Sequence, residues 1–205
     1  FEKQFPQGDW RILRLFAEAP PAPRVNLVTE PYIFYTIGNV ADPRKNINAL
    51  IRALGNFPDA RLLIKATCTR TVQIDHPQVT VINGLLSDEQ MENVHAKGHC
   101  YVNCSHSEGV GMGAVEAALR SKPVIITDYG GLKEYVQTPF VVECKLGPIG
   151  FDDFLFTKDL VWGLPSYEDL VSKMATCYEQ RIVAWDHSYT TGLLTAVPTE
   201  LLSIQ

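Results

Sequence analysis

Strand-like and helix-like segments alternate along this chain from Tyr32 onward, and this alternation constrains its fold more than any other feature. Short runs rich in apolar and β-branched residues predict strands at 32–37, 61–65, 79–82, 100–104, 123–127 and 140–142. The run at 123–127 is apolar on both faces, which is typical of a strand covered by helices on either side. The alternation therefore predicts an α/β fold with a Rossmann-like, doubly wound parallel sheet.

Helical spacing and end signals predict the helices between these strands. Apolar residues recur every three or four positions over 47–54, and Gly55 follows as a stop signal. The segments 87–90 and 166–169 each begin with serine and have the spacing of a capping box at a helix start. No regular element is predicted for 144–163. Further helices are expected at 88–97, 117–122, 132–136 and 167–185.

The chain divides into three parts. Residues 1–30 contain the proline-rich run 20–23 and predict a linker with one short amphipathic helix at 10–19. Residues 31–185 make up the predicted α/β domain, and 186–205 a C-terminal tail. Because the chain does not open on methionine, we expect it to be a piece of a longer protein.

Composition and charge argue against several classes of protein. The 205 residues are 46% hydrophobic and 20% charged, as in an ordinary soluble globular protein with a sizeable core. The net charge of −5 argues against a nucleic-acid-binding protein, which normally has a basic face. No apolar run is long enough for a transmembrane helix, and no signal peptide is visible. Five scattered cysteines favour reduced thiols and hence a cytoplasmic location.

A glycine-rich turn lies between two carboxylates, Glu108 and Glu116, and opens a predicted helix. Its glycines, at 109, 111 and 113, allow backbone amides to face outward. Unpaired N–H groups and the helix dipole attract a phosphate to such a helix start. A carboxylate on each side of the turn can then accept hydrogen bonds from hydroxyl groups. The segment therefore predicts a sugar-nucleotide site at the carboxyl end of the preceding strand.

Three other interpretations fit parts of this region. Residues 109–114 match the dinucleotide fingerprint G-x-G-x-x-A, but the first glycine does not directly follow its strand, as it does in NAD-binding sequences. A glycine-rich loop with two solvated glutamates is the second interpretation. The third interpretation is a metal site built from the residues His95, His99, Cys100, Cys104 and His106. We expect no metal there, because the cysteines lie on a predicted buried strand, where cysteine behaves as a small hydrophobic residue.

The run from Glu108 to Glu134 closely resembles the signature of retaining glycosyltransferases with the GT-B fold. It is most similar to the large group 1, or family 4-like, enzymes that include sucrose-phosphate synthase. The E-x7-E spacing, the Glu-Ala at a helix, the Pro-Val-Ile strand and the Gly-Gly turn follow in the family's order. Residues 37–39 and 43–46 resemble the first strand and basic loop of the same domain. The resemblance covers 32–182 and implies a single C-terminal, nucleotide-sugar-binding half of a GT-B fold.

The resemblance also implies a role for each matching residue. Glu116 should accept hydrogen bonds from the ribose, and Glu108 should hold the hydroxyls of the transferred sugar. Lys45 should neutralise the departing diphosphate. Backbone in the glycine-rich turn should contact the sugar and diphosphate, and backbone after the third strand should contact the base. These donor-binding positions are Gly109, Val110, Gly111, Met112, Gly84 and Leu85.

One position departs from the family pattern. Where the family has an arginine after the glycine of the first strand, which is Gly38 here, this chain has Asn39. In the family that arginine shares the diphosphate with the lysine. We expect Arg44, on the neighbouring loop, to take its place, or the site to bind more weakly. All three residues are therefore included among the predicted donor-binding residues.

The resemblance implies transfer of a sugar, with retention, from a nucleoside diphosphate sugar to a hydroxyl of a glycan acceptor. It implies neither a metal nor a cofactor. The N-terminal half that binds the acceptor is expected to be absent from this chain, so we expect little transfer by the domain alone. Any membrane association is expected to be peripheral and to involve the missing half. Two alternatives stay open: a non-catalytic nucleotide-sugar-binding subunit that needs a partner chain, and an NAD-binding oxidoreductase domain.

Overall fold

The computed structural model describes residues 31–153 and 156–195, and a six-stranded parallel sheet lies at its centre. The strands are β1 (Ile33–Gly38), β2 (Arg61–Ala66), β3 (Val79–Ile82), β4 (Cys100–Asn103), β5 (Val124–Thr127) and β6 (Val141–Val142). Their order is β3-β2-β1-β4-β5-β6, and every neighbouring pair is parallel. The predicted α/β, Rossmann-like fold is thus confirmed. The predicted linker, its helix at 10–19 and the end of the predicted tail lie outside the described residues.

Helices cover both faces of this sheet. They are α1 (Ile47–Leu54), α2 (Asp88–Lys97), α3 (Met112–Leu119), α4 (Leu132–Tyr135), α5 (Tyr167–Glu179) and α6 (Ser188–Thr195). Apolar residues of α1 and α5, such as Leu50 and Leu170, pack with Phe34 in one core cluster. Residues of α2, α3 and α6 pack with Tyr35 in a second cluster. Because Phe34 and Tyr35 are consecutive, β1 buries side chains on both faces, as a central strand of a doubly wound sheet does.

The two predicted capping boxes have different outcomes. At α2 the box is complete, because Ser87 and Gln90 each accept a hydrogen bond from the other's backbone N–H. At α5 only half of it forms: Oγ of Ser166 accepts from the Asp169 N–H, at 3.2 Å. The reciprocal half was predicted wrongly, because Oδ2 of Asp169 instead accepts from the Glu143 N–H, at 2.8 Å.

The C-terminal part of the described chain packs back onto the domain. Helix α5 ends at Glu179, short of the predicted residue 185, and Arg181 follows with a φ of 51°, outside helical geometry. Helix α6 contacts α3, and its Leu194 is buried in the second core cluster. None of the helices in the described ranges is long and apolar enough to cross a bilayer.

A two-stranded antiparallel sheet follows the parallel one, in the segment for which no element was predicted. Its strands are β7 (Cys144–Pro148) and β8 (Val161–Pro165). The pattern of β7 does not predict a strand, because Gly147 and Pro148 interrupt it and both residue types are depleted in strands. A Cβ on Gly147 would lie 2.4 Å from Cδ1 of the exposed Leu164, so a larger residue there would require that side chain to move.

Candidate functional site

The loops that follow β1 and β4 diverge and leave a cleft at the carboxyl edge of the sheet. The sheet continues from β1 to β2 on one side and from β4 to β5 on the other, so the strand order reverses between β1 and β4. The cleft is lined by Gly38 and Lys45 on the β1 side and by Asn103, Ser105 and Glu108 on the β4 side. Parallel α/β sheets bind ligands at this point, and the glycine-rich turn predicted from the sequence begins there.

An ion pair joins the two sides of the cleft. Nζ of Lys45 lies 2.6 Å from Oε1 of Glu108. The same oxygen accepts hydrogen bonds from Nδ2 of Asn103, at 3.2 Å, and from the Ser105 hydroxyl, at 2.9 Å. The side chains of Lys45 and Glu108 are 23% and 12% exposed, so water screens this pair less than a surface ion pair. The structure brings together the two residues predicted to act on sugar and diphosphate.

Local backbone contacts fix the position of Lys45. It ends a short 3-10 turn, Pro43–Lys45, and Asp42 caps this turn by accepting from the Arg44 N–H. Asn46 follows with a φ of 51°, in the left-handed region that asparagine tolerates better than most residues. Its Nδ2 donates to a carbonyl in the loop after β4, at 3.2 Å. The lysine is therefore tied to the loop that carries its glutamate partner.

Arg44 and Asn39 do not join this ion pair. The Arg44 guanidinium binds Asp42, with an Nη2–Oδ2 distance of 2.5 Å and an Nε–Oδ2 distance of 3.0 Å. Asn39 is exposed, and its Oδ1 accepts from the Ala41 N–H, at 3.1 Å, and from the Cys68 thiol, at 2.8 Å. Arg44 is thus already held by a carboxylate, and the donor-binding roles of Arg44 and Asn39 stay predictions.

The glycine-rich turn packs against the Gly-Gly turn that follows β5. Gly131 donates its N–H to the carbonyl of Glu108, at 2.9 Å, and a Cβ on Gly131 would lie 2.0 Å from the carbonyl oxygen of Gly109. Gly111, the residue before α3, has a φ of 70°, which favours glycine. The amides of residues 109–113 donate no hydrogen bond to any described residue. The start of α3 therefore presents unpaired N–H groups.

Glu116 lies on α3, a little more than one turn from the helix start, and has a different partner. Its Oε2 is 3.5 Å from Nε2 of His95, and its side chain is 36% exposed. His95 is buried on α2, and its Nδ1 is 3.0 Å from the Tyr35 hydroxyl. Burial lowers the pKa of His95, while the neighbouring Glu116 carboxylate acts in the opposite direction. The carboxylate of Glu116 thus rests on a neutral imidazole and remains accessible to a ligand.

A buried lysine that was not predicted from the sequence, Lys65, donates a hydrogen bond to the predicted base-binding turn after β3. Nζ of Lys65 donates to the carbonyls of Gly84 and Ala66, each at 2.6 Å. Lys65 is buried in β2, and this burial lowers its pKa. Gly84 has a φ of 80°, and the side chain of Leu85 is fully exposed beside it. A lysine inside the apolar run Leu-Leu-Ile-Lys-Ala was the signal that would have identified it.

The histidines of the considered metal site contact separate partners. Nδ1 of His99 accepts from the Ile33 N–H, at 2.9 Å, at the start of β1. The ring of His106 stacks on Trp162, with centroids 4.3 Å apart. Among the described residues, no group of three or more histidine, cysteine, aspartate or glutamate side chains is arranged to hold a metal ion.

Comparison with known families gives one clear match. Residues 22–141, more than half of the chain, match the family described as Glycosyl transferases group 1. The comparison with curated proteins gives no match.

Solved structures share the fold at low identity. The C-terminal domain of a glycosyl transferase group 1 family protein (LpcC) from Francisella tularensis is 18% identical, with a TM-score of 0.53 over 85% of this chain and 87% of that domain. Sucrose-phosphate synthase from Thermosynechococcus elongatus is 18% identical, with a TM-score of 0.61 over 84% of this chain and 43% of the enzyme. The pneumococcal O-GlcNAc transferase GtfA, solved with UDP and GlcNAc, is 15% identical, with a TM-score of 0.58 over 94% of this chain and 38% of that one. The chain thus spans about two fifths of the last two proteins.

Proposed function

Because the chain belongs to the Glycosyl transferases group 1 family, we propose that it binds a nucleoside diphosphate sugar at the cleft between β1 and β4. In this proposal it is the donor-binding domain of a retaining glycosyltransferase that delivers the sugar to a glycan hydroxyl. The observation that carries the proposal is the Lys45–Glu108 ion pair beside the unpaired amides at the start of α3.

Positive charge at this position suits a diphosphate. Sugar transfer places growing negative charge on the leaving diphosphate, and preorganised positive groups stabilise such charge most where water is excluded. Lys45 supplies an ammonium that is largely buried. The amides of residues 109–113 supply N–H donors at the positive end of the α3 dipole. Together these groups provide the charge stabilisation without a metal, and we propose that none is required.

The hydrogen bonds of Glu108 leave one oxygen for the sugar. Its Oε1 accepts from Lys45, Asn103 and Ser105. Oε2 accepts no hydrogen bond from the described part of the chain. A carboxylate oxygen held beside the cleft in this way is a strong acceptor for sugar hydroxyls, at about 1.5–3 kcal/mol per charge-assisted bond. In the proposal Oε2 selects the position of the sugar while Oε1 stays bound to the lysine.

Glu116 and the turn at Gly84 bind the nucleoside in this proposal. The half-exposed carboxylate of Glu116 accepts from the ribose hydroxyls, and backbone at Gly84 and Leu85 contacts the base. For retention, the leaving phosphate takes the proton of the acceptor hydroxyl on the same face of the sugar. The acceptor and a complete transfer reaction then belong to parts beyond this domain, consistent with its span of 38% of the O-GlcNAc transferase solved with UDP and GlcNAc.

Calorimetric titration of the chain with UDP, GDP, dTDP and NAD, without added metal, tests the proposal. We expect one nucleoside diphosphate to bind at micromolar to low-millimolar concentration. Glu116→Ala should lower its affinity by a factor of roughly ten or more, where each tenfold change corresponds to about 1.4 kcal/mol of binding free energy. Glu179→Ala, an exposed glutamate at the end of α5, is the matched control and should bind as the wild type does. Binding of NAD alone, or of no nucleotide, would overturn the proposal.

A further inference from the structure

His106 connects the β7–β8 hairpin to the cleft through four contacts. Its N–H donates to the carbonyl of Arg44, at 2.7 Å, and its carbonyl accepts from the Gly163 N–H, at 3.0 Å. Nδ1 of the ring lies 2.7 Å from the carbonyl oxygen of Gly163. Since a carbonyl oxygen only accepts, Nδ1 carries the proton of this bond. The ring also stacks on the buried Trp162 at an interplanar angle of 16°.

These contacts are made by residues close in sequence to both members of the ion pair. The backbone bond to Arg44 is one residue from Lys45, and His106 itself is two residues from Glu108. The remaining contacts of His106 anchor this junction to β8. Burial lowers the pKa of His106, so at neutral pH the ring is uncharged and does not compete with Lys45 for Glu108.

We infer that His106 is a positioning residue. By anchoring the loops of Lys45 and Glu108 to Trp162 and Gly163, it holds these two residues at the separation needed to bind the diphosphate and the sugar. This inference rests on the proposed function. It gives the hairpin, for which the sequence predicted no element, a part in donor binding: Trp162 supplies a flat surface that fixes the ring, and Gly163 supplies both backbone partners. An error of about 1 Å in such a constellation is costly, which is why the anchoring matters.

A comparison of diphosphate with monophosphate binding tests this role. Whichever of UDP, GDP and dTDP binds the wild-type chain is titrated together with its monophosphate into His106→Ala, His106→Asn and Trp162→Phe. Because Lys45 and Glu108 act beyond the first phosphate, we expect His106→Ala to weaken diphosphate binding about tenfold and monophosphate binding less than about twofold. His106→Asn retains a donor for the Gly163 carbonyl and Trp162→Phe retains an aromatic surface, so both should recover most of the affinity. His76→Ala, on the loop before β3, is the control and should change neither.

The possible results separate the inference from the proposed function. Equal losses for diphosphate and monophosphate in His106→Ala would mean a general structural role and overturn the inference. A wild-type ratio of the two affinities in all three variants would overturn it as well, while leaving the proposed function intact. If the wild-type chain binds none of the three diphosphates, the proposed function fails and the inference fails with it. If His106→Ala does not fold, His106→Leu takes its place, because leucine fills most of the volume of the ring but neither donates to the Gly163 carbonyl nor stacks flat on Trp162. A reduced ratio of diphosphate to monophosphate affinity in that variant supports the role, and an unchanged ratio overturns it.

Discussion

His95 lies against Glu116, with its Nε2 3.5 Å from Oε2 of the carboxylate. The other ring nitrogen, Nδ1, is 3.0 Å from the Tyr35 hydroxyl. When Tyr35 donates to Nδ1, the single proton of the neutral ring sits on Nε2 and faces Glu116. Nε2 of this buried ring has no hydrogen-bond partner among the described residues, so a small movement of the Glu116 carboxylate would let it accept the Nε2 proton. We therefore expect His95 to orient the carboxylate that the proposal assigns to the ribose, although His95 is itself too buried to contact a ligand.

The first prediction concerns this orientation. His95→Phe removes the Nε2 proton and should weaken nucleoside diphosphate binding about threefold to tenfold, less than Glu116→Ala does. In a double-mutant cycle, the double variant should bind no more weakly than Glu116→Ala alone, because His95 acts only through Glu116. Calorimetric titration of the four proteins measures the coupling. Additive losses would contradict the assigned link between the two residues.

A second prediction concerns the charge of Lys45. Lys45→Met keeps the aliphatic stem and removes the ammonium, so we expect diphosphate affinity to fall about tenfold to a hundredfold, in keeping with one charge-assisted contact. The dependence of binding on salt should also become weaker, since one cation has left the site. Lys97→Met, an exposed lysine at the far end of α2, removes the same charge elsewhere and is the control. Equal effects of the two changes would show that only net charge matters.

The third prediction uses the position that departs from the family pattern. Asn39 is exposed at the carboxyl end of β1, and its two hydrogen bonds are ones that water can replace. Asn39→Arg adds a guanidinium, which is well suited to phosphate oxygens, and should tighten nucleoside diphosphate binding severalfold. Asn39→Gln is the uncharged control. An affinity that does not change in Asn39→Arg would place residue 39 outside the reach of the diphosphate.

Local sequence signals predicted most of the parallel sheet correctly. The apolar run at 123–127 became the buried β5, and the box at 87–90 formed at α2, because both depend on residues that are close in sequence. The chain order of strands and loops also places Lys45 and Glu108 after β1 and β4, which the topology makes neighbours. A parallel α/β pattern fixes where its loops meet, so this part of the site was open to prediction.

The contacts that complete the site were not predictable in the same way. The pairing of β7 with β8 and the stack of His106 on Trp162 join residues far apart in sequence, and β7 lacks a strand pattern. Oδ2 of Asp169 bonds to the Glu143 N–H instead of closing its box, a choice that only the tertiary structure offers. The ion pair between Arg44 and Asp42 differs from these contacts because it was open to prediction, since only one residue separates the two in the sequence.

The fourth prediction compares two glycines, neither of which has a positive φ, that differ in the space around them. A Cβ on Gly131 would lie 2.0 Å from the carbonyl oxygen of Gly109, whereas a Cβ on Gly192 in α6 meets nothing within 4 Å. Gly131→Ala should therefore destabilise the domain by about 1–3 kcal/mol and displace the turn beside Glu108, so nucleotide affinity should also fall. Gly192→Ala should stabilise α6 by up to about 1 kcal/mol and leave affinity unchanged. Thermal unfolding and titration check both; a stable Gly131→Ala with full affinity would contradict the packing argument.

The last prediction concerns acid stability and His99, which lies at the opposite edge of the sheet from the cleft. Its pKa is lowered to about 4, first by burial and then by the positive charges of Lys122 and Arg181. Its Nδ1 accepts from the Ile33 N–H, at 2.9 Å, and cannot do so once protonated. In the unfolded chain the same ring takes up a proton near pH 6.5. Between these two pKa values the unfolded state holds more protons, so the free energy of unfolding falls as the pH falls through that interval.

The size of this effect is measurable by difference. With a pKa of about 4 in the folded state and about 6.5 in the unfolded state, the free energy of unfolding falls by roughly 2–3 kcal/mol between pH 6.5 and pH 4. His99→Asn keeps an acceptor for the Ile33 N–H and does not titrate, so its unfolding free energy should depend less on pH over this range. Denaturant unfolding of both proteins at several pH values gives the comparison, and the carboxylates, which titrate in both, cancel. The same slope in both proteins would show that His99 is charged as readily in the folded state as in the unfolded one, and that the burial argument fails for this ring.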